Sequence, residues 1–231
     1  MFSLQKKTYS ARNDKVVLVL SGWGAKQWQM WFVGKLLQAH GYTAIIYTYD
    51  KSLLTPNVKQ TVKNFKEVKN NALRTIATLS KKEQKNLVIF GTSIGSSLSL
   101  MIANESKEIK KIILNLVGSD IAQIVWSWDK VIPGFKKDLL EDKVTFETLK
   151  NAWLELSPIH NLDNLKKKAI LLYGAKHDEI IPFSQTEELI ATGKEKRLNI
   201  ETVINTTHNH RTSAIVHYLK YTVYVAFLQK R

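Results

Sequence analysis

Short, continuous apolar runs recur along this chain, and between them the hydrophobic period changes from that of a strand to that of a helix. Val16 to Leu20 (VVLVL) is the clearest: it is rich in β-branched residues and closed by Gly22 and Gly24, the pattern of a strand buried on both faces. Similar runs are Tyr42 to Tyr47, Leu87 to Phe90, Ile112 to Leu116, Ala169 to Tyr173 and Ile200 to Ile204. After Pro56, the residues Val62, Phe65, Ala72, Ile76 and Leu79 follow spacings of three, four or seven, while Lys59, Lys63 and Lys66 fall largely on another face. Trp28, Phe32 and Leu36, then Leu98 with Ile102, and finally Ile215, Leu219 and Val223 mark three more helices by four-residue spacing. Strands that alternate with helices of this length predict an α/β fold: a mostly parallel sheet of about six strands with helices on both faces, because parallel neighbours need a crossover.

The stretch from Ser119 to Ser157 breaks the rhythm. It contains Pro133-Gly134 and carries Trp126, Trp128, Phe135, Phe146 and Trp153, which suits a lid with its own helical pieces better than a bare loop. With 231 residues, 44% of them hydrophobic, the expectation is one domain over 1–231 with the lid at about 119–157. No apolar run reaches the roughly 18 residues a membrane-spanning helix needs, and the N-terminus lacks the layout of a secretory signal, so the chain reads as cytoplasmic. The absence of cysteine excludes a disulfide framework and a thiol nucleophile. Lys and Arg number 34 against 20 Asp and Glu, a formal charge of +14. That balance allows weak association with an anionic surface, or merely keeps scattered surface lysines solvated; no basic cluster is interleaved with aromatics as a nucleic-acid platform would be.

The pentapeptide Gly91-Thr92-Ser93-Ile94-Gly95 directly follows the run LVIF and precedes a helix-like segment. G-x-S-x-G in that setting is a nucleophile elbow, in which small flanking residues let strand and helix approach and the helix N-terminus offers unpaired N–H groups to a developing oxyanion. The plainer alternative is a βα turn with Ser93 as a helix cap.

With this motif in that strand–turn–helix context, nearly the whole chain resembles the α/β-hydrolase family. Leu20-Ser21-Gly22-Trp23-Gly24 looks like the family's oxyanion loop, with Ser21 where a histidine is common, and the resemblance assigns the oxyanion donors to the backbone N–H groups of Trp23 and Ile94. The segment Gly174 to Pro182 (GAKHDEIIP) resembles the family's acid loop and makes Asp178 the expected acid, with Asp120 as the alternative position. In Thr207-His208-Asn209-His210, His208 comes first past the last strand and matches the family's His-Asn pattern, so it is the expected base; His210 is the competitor. As a metal pair, the two histidines lack a third ligand.

The resemblance therefore implies a serine hydrolase that needs no metal or cofactor: Ser93, His208 and Asp178 as triad, and an acyl-enzyme intermediate from a small-molecule ester or thioester. Carboxylesterase is the broadest activity it implies, with thioesterase or lysophospholipase as alternatives. The lid aromatics Trp126, Trp128, Phe146 and Trp153 are expected either to contact an apolar acyl group or simply to anchor the lid. A rival of another class is a non-catalytic module that keeps the scaffold to hold a ligand.

Overall fold

A computed structural model describes residues 2–128 and 133–230. Seven strands form one sheet in the order β1-β3-β2-β4-β5-β6-β7: β1 (Leu4–Tyr9), β2 (Val16–Leu20), β3 (Thr43–Tyr49), β4 (Leu87–Thr92), β5 (Lys111–Asn115), β6 (Ala169–Ala175) and β7 (Asn199–Asn205). All neighbours are parallel except β1, which runs antiparallel along β3. The helices are α1 (Gln27–Ala39), α2 (Val58–Thr78), α3 (Lys81–Lys85), α4 (Ile94–Glu105), α5 (Ile121–Trp126), α6 (Phe135–Glu141), α7 (Phe146–Ala152), α8 (Phe183–Glu195), α9 (His210–Leu219) and α10 (Tyr221–Gln229). The six expected strands are therefore present, and the sequence reading missed β1. Its LQKKTY has no apolar run because Gln5 to Thr8 are exposed at the sheet's rim.

Strand alternation divides the core into two layers. Val16, Leu18 and Leu20 face α2 and α4, where Phe65, Val68, Ala72, Leu98 and Ile102 cover them. Val17 and Val19 face α1 and α10, meeting Met30, Val33, Leu37, Tyr224 and Phe227. All five residues of β2 are fully buried, which explains why its sequence is continuously apolar.

Two helical stripes read from the sequence face the other way. An apolar stripe on a surface helix ordinarily covers the core, yet Trp28 is 72% exposed and Phe32 45%, because α1 seats Met30, Val33 and Leu37 instead. Ile215 and Leu219 are likewise exposed, and α9 buries Ser213 and His217. The expected single helix through Val223 is broken at Lys220, where α9 ends and α10 begins.

The expected insertion at about 119–157 contains α5, α6 and α7, with residues 129–132 of it lying outside the described residues. The chain order reverses direction between β2, which neighbours β3, and β4 on its other side. Open α/β sheets place their sites at such a switch point, beyond the carboxyl ends of the strands. The loops after β2, β4, β6 and β7 all emerge at that edge.

Candidate active site

Ser93 sits between β4 and α4 with φ 54° and ψ −121°, a left-handed backbone that a non-glycine residue adopts only under constraint. The constraint comes from both sides. Its N–H donates to the Asn115 carbonyl at 2.8 Å, and its carbonyl accepts from the Ser96 N–H at 2.8 Å. Gly91 and Gly95 are required by close approach: a Cβ on Gly91 would lie 2.3 Å from the Gly95 oxygen, and one on Gly95 would lie 2.3 Å from the Leu20 oxygen and 2.4 Å from that of Ser21. The start of α4 thus rests directly on the end of β2.

That contact sets the end of β2, just before the Trp23 turn, against the first turn of α4. Ile94 is the first residue of α4, so its N–H has no intrahelical partner. Trp23 and Gly24 are the central residues of a tight turn closed by the Ala25 N–H on the Gly22 carbonyl at 3.2 Å, with Gly24 at φ +68°. The Trp23 indole donates to the Lys51 carbonyl at 2.8 Å and its ring lies 5.9 Å from that of Trp128.

Asp178 follows β6 and is held at both oxygens. Oδ1 accepts from the Ile180 and Ile181 N–H groups at 2.9 and 2.7 Å, while Oδ2 accepts from Nδ1 of His210 at 2.7 Å. Both side chains are buried, Asp178 to 3% and His210 to 9% exposure. His208, the expected base, does not reach Asp178; His210 does. The reason is local. The Asn205 side chain at the end of β7 accepts from the N–H groups of Thr207 and His208, at 2.9 and 3.3 Å, which curls the chain so that the His208 ring meets the neighbouring Thr207 hydroxyl. Asn209 then caps α9 by accepting from the Thr212 N–H, and His210 becomes the first helical residue, its own N–H donating to Glu179 at 2.9 Å. The alternative acid, Asp120, is occupied elsewhere: it caps α5 and accepts from the Ser157 hydroxyl.

The four aromatics of the expected lid have separate placements. Trp128 is buried, donates to the Ile180 carbonyl at 3.0 Å, and lines a small apolar cavity of about 20 Å³ with Ser93, Ile94, Ile121, Val125 and Ile181. Trp126 and Phe146 pair with each other at 5.7 Å. Trp153 is wholly buried and donates to the Val58 carbonyl, anchoring the segment to α2.

Asn115, at the end of β5, was not singled out from sequence. Its carbonyl holds the Ser93 N–H, its Nδ2 donates to the Ala214 carbonyl at 3.1 Å, and its Oδ1 accepts from Nδ1 of His217 at 2.7 Å. It therefore ties the elbow to α9, the helix that carries His210. His217 is fully buried against the Tyr173 ring, 4.7 Å away, and its Nε2 has no partner among the described residues. Burial, with smaller contributions from the Lys220 and His208 charges, pushes its pKa down to about 4. The unfolded chain takes that proton near pH 6.5, so the stability this histidine confers is complete above pH 6.5 and is lost as pH falls toward 4. Between pH 7 and 5, wild type should lose about 2 kcal/mol more stability than His217→Gln, as read by urea denaturation at the two pH values.

The family profile of the prolyl oligopeptidase family matches residues 59–230, well over half of the chain. No curated protein matches. Among solved structures, the chain is similar to a Pyrococcus furiosus esterase (14% identity, TM-score 0.64, covering 98% of this chain and 89% of that one). It is similar to a lipase in its open form (11% identity, TM-score 0.68, 99% and 95% covered). It also matches a Pyrococcus horikoshii acylaminoacyl peptidase (13% identity, TM-score 0.68, 99% of this chain), of which it spans only 41%. At these identities the structures show a shared fold. The profile match and that fold together establish that the chain belongs to the prolyl oligopeptidase family of α/β-hydrolases.

Proposed function

We propose that the protein is a serine hydrolase that cleaves a carboxylic ester or a related acyl bond, with Ser93 as nucleophile, His210 as base and Asp178 as its orienting acid. The observation that carries the reading is the buried Asp178–His210 pair at the same sheet edge as the strained Ser93. With Nδ1–H committed to Asp178, the ring keeps Nε2 as the nitrogen able to take the Ser93 proton. The alkoxide then adds to the acyl carbonyl, and the Trp23 and Ile94 N–H groups receive the oxyanion. The tetrahedral intermediate collapses to an acyl-Ser93 as His210 returns the proton to the leaving group, and water deacylates the serine by the same steps.

The apolar walls beside Ser93 suit an apolar acyl group, and Trp128 would be the lid aromatic that meets it. Since the cavity holds about one water, the acyl chain must displace Trp128 or the Ile121–Val125 wall on entry. The profile match favours one second reading, hydrolysis of a peptide or acylamide bond by the same residues. A fluorophosphonate probe tests the shared claim: it should label the wild type at Ser93 and leave a folded Ser93→Ala variant unlabelled. Absence of labelling in wild type would favour the non-catalytic module. Turnover of p-nitrophenyl acetate against an acyl p-nitroanilide of the same chain length then separates esterase from amidase.

A further inference from the structure

We infer that the outer face formed by α1, α9 and α10 docks the protein onto an anionic phospholipid surface. On α1, Trp28, Trp31 and Phe32 stand at positions i, i+3 and i+4 and are 72%, 52% and 45% exposed. On the C-terminal pair, Ile215 and Leu219 of α9 and Tyr221 of α10 are 60%, 52% and 40% exposed. The two groups lie on the same side of the sheet, because α1 and α10 cover one core layer, and His40 at the end of α1 stacks on Tyr221 at 5.1 Å. Single exposed apolar residues are ordinary, but two tryptophans and a phenylalanine on one helical turn are not.

Charge selects the partner. The chain has no Asp or Glu between Asp14 and Asp50 and none after Glu201, although it has 20 elsewhere. Lys26 and Lys35 flank the α1 aromatics, and Arg211 and Lys220 bracket the α9 residues, all four exposed. Of the basic groups in these segments, Lys230 is committed to Glu201. A basic face whose three helices carry no Asp or Glu of their own, with amphipathic aromatics, matches the interfacial region of a bilayer that carries anionic headgroups. There, indole rings settle at headgroup depth, and each nearby Lys or Arg strengthens attraction to the anionic headgroups. A second copy fits less well, since a two-fold contact would set this face on itself with lysines opposed and no carboxylate from these three helices to pair them. The face adjoins an open cleft lined by Lys26, Trp28, Tyr49, Lys51 and Ser52, with Asp50 at its wall, beside the Trp23 turn.

Co-sedimentation of the full chain with vesicles tests the inference. Wild type should bind phosphatidylcholine/phosphatidylglycerol vesicles and not pure phosphatidylcholine, with binding weakened by 0.5 M NaCl. The triple variant Trp28→Ser/Trp31→Ser/Phe32→Ser should reduce partitioning at least ten-fold while keeping the wild-type thermal midpoint, since all three side chains are exposed. Lys26→Glu/Lys35→Glu should do the same. Failure of wild type to bind anionic vesicles overturns the inference. So does equal binding by the triple variant, which would assign retention to charge elsewhere on the protein. A wild-type dimer that the triple variant converts to monomer, without vesicle binding, would give the face to a second copy instead.

Discussion

His210→Ala is expected to lower kcat for a short p-nitrophenyl ester by at least about a thousand-fold, the scale of losing a triad member, whereas His208→Ala should cost about ten-fold or less. The two residues stand two apart, and their environments separate them. His210 is pinned at three points: the Asp178 carboxylate on Nδ1, the Glu179 carboxylate on its N–H, and the first turn of α9. His208 is half-buried and bonded to its neighbour Thr207. Removing His210 also leaves Asp178 buried without its partner, so a stability loss could be mistaken for a loss of chemistry. His210→Asn guards against that, because its amide nitrogen stands where Nδ1 stood and retains an N–H for Asp178 while offering no base. It should fold with a thermal midpoint near wild type and be as inactive as His210→Ala. Near-wild-type kcat in either His210 variant, or a thousand-fold loss in His208→Ala, would return the base to His208.

Gly95→Ala should be strongly destabilising, about 4 kcal/mol or more by urea denaturation, and its product should accumulate as insoluble protein. The added carbon would stand 2.3 Å from the Leu20 oxygen and 2.4 Å from that of Ser21, both main-chain atoms of a fully buried strand end. Neither can give way as a side chain would, so α4 must lift from β2 and carry Ser93 and the Ile94 N–H with it. Gly134 supplies the contrast. It has φ +88° but a Cβ there would meet nothing within 4 Å, so Gly134→Ala should cost only the left-handed backbone term, about 1 kcal/mol. Equal stabilities of the two variants would show that α4 does not bear on β2 as described.

The architecture was legible where burial is symmetric. β2, β4 and β5 are covered on both faces, so their sequences are continuously apolar and stand out without any structural knowledge. β1 was not legible because a rim strand needs only its ends buried, and LQKKTY places polar residues over the rest. The helical stripes of α1 and α9 show a different limit. Spacing reveals that apolar residues share a face, but not whether that face is the one turned inward, and in α9 the inward face is polar, with Ser213 and His217. Ser93 and Asp178, the proposed nucleophile and acid, were singled out by their strand-end motifs. Which histidine meets Asp178 depends on where α9 starts. Asn209 directly before His210 is the cap that marks that start, and Asn205 is the residue that turns His208 aside, so the signal lay in two asparagines and not in the histidines themselves.

The edge strand β1 has a consequence for the protein at high concentration. The free rim of a sheet offers unpaired N–H and C=O groups, and a second chain can add to it as the next rung of a cross-β stack. Along β1, Lys6 and Lys7 stand side by side among exposed residues, and the Lys6 ammonium is held toward Thr75 of α2. Two such rims brought together would confront ammonium with ammonium at each attempt to zip. β1 therefore acts as a gatekeeper strand, and neutral, β-branched replacements at Lys6 and Lys7 would turn the same rim into a template for fibrillar growth.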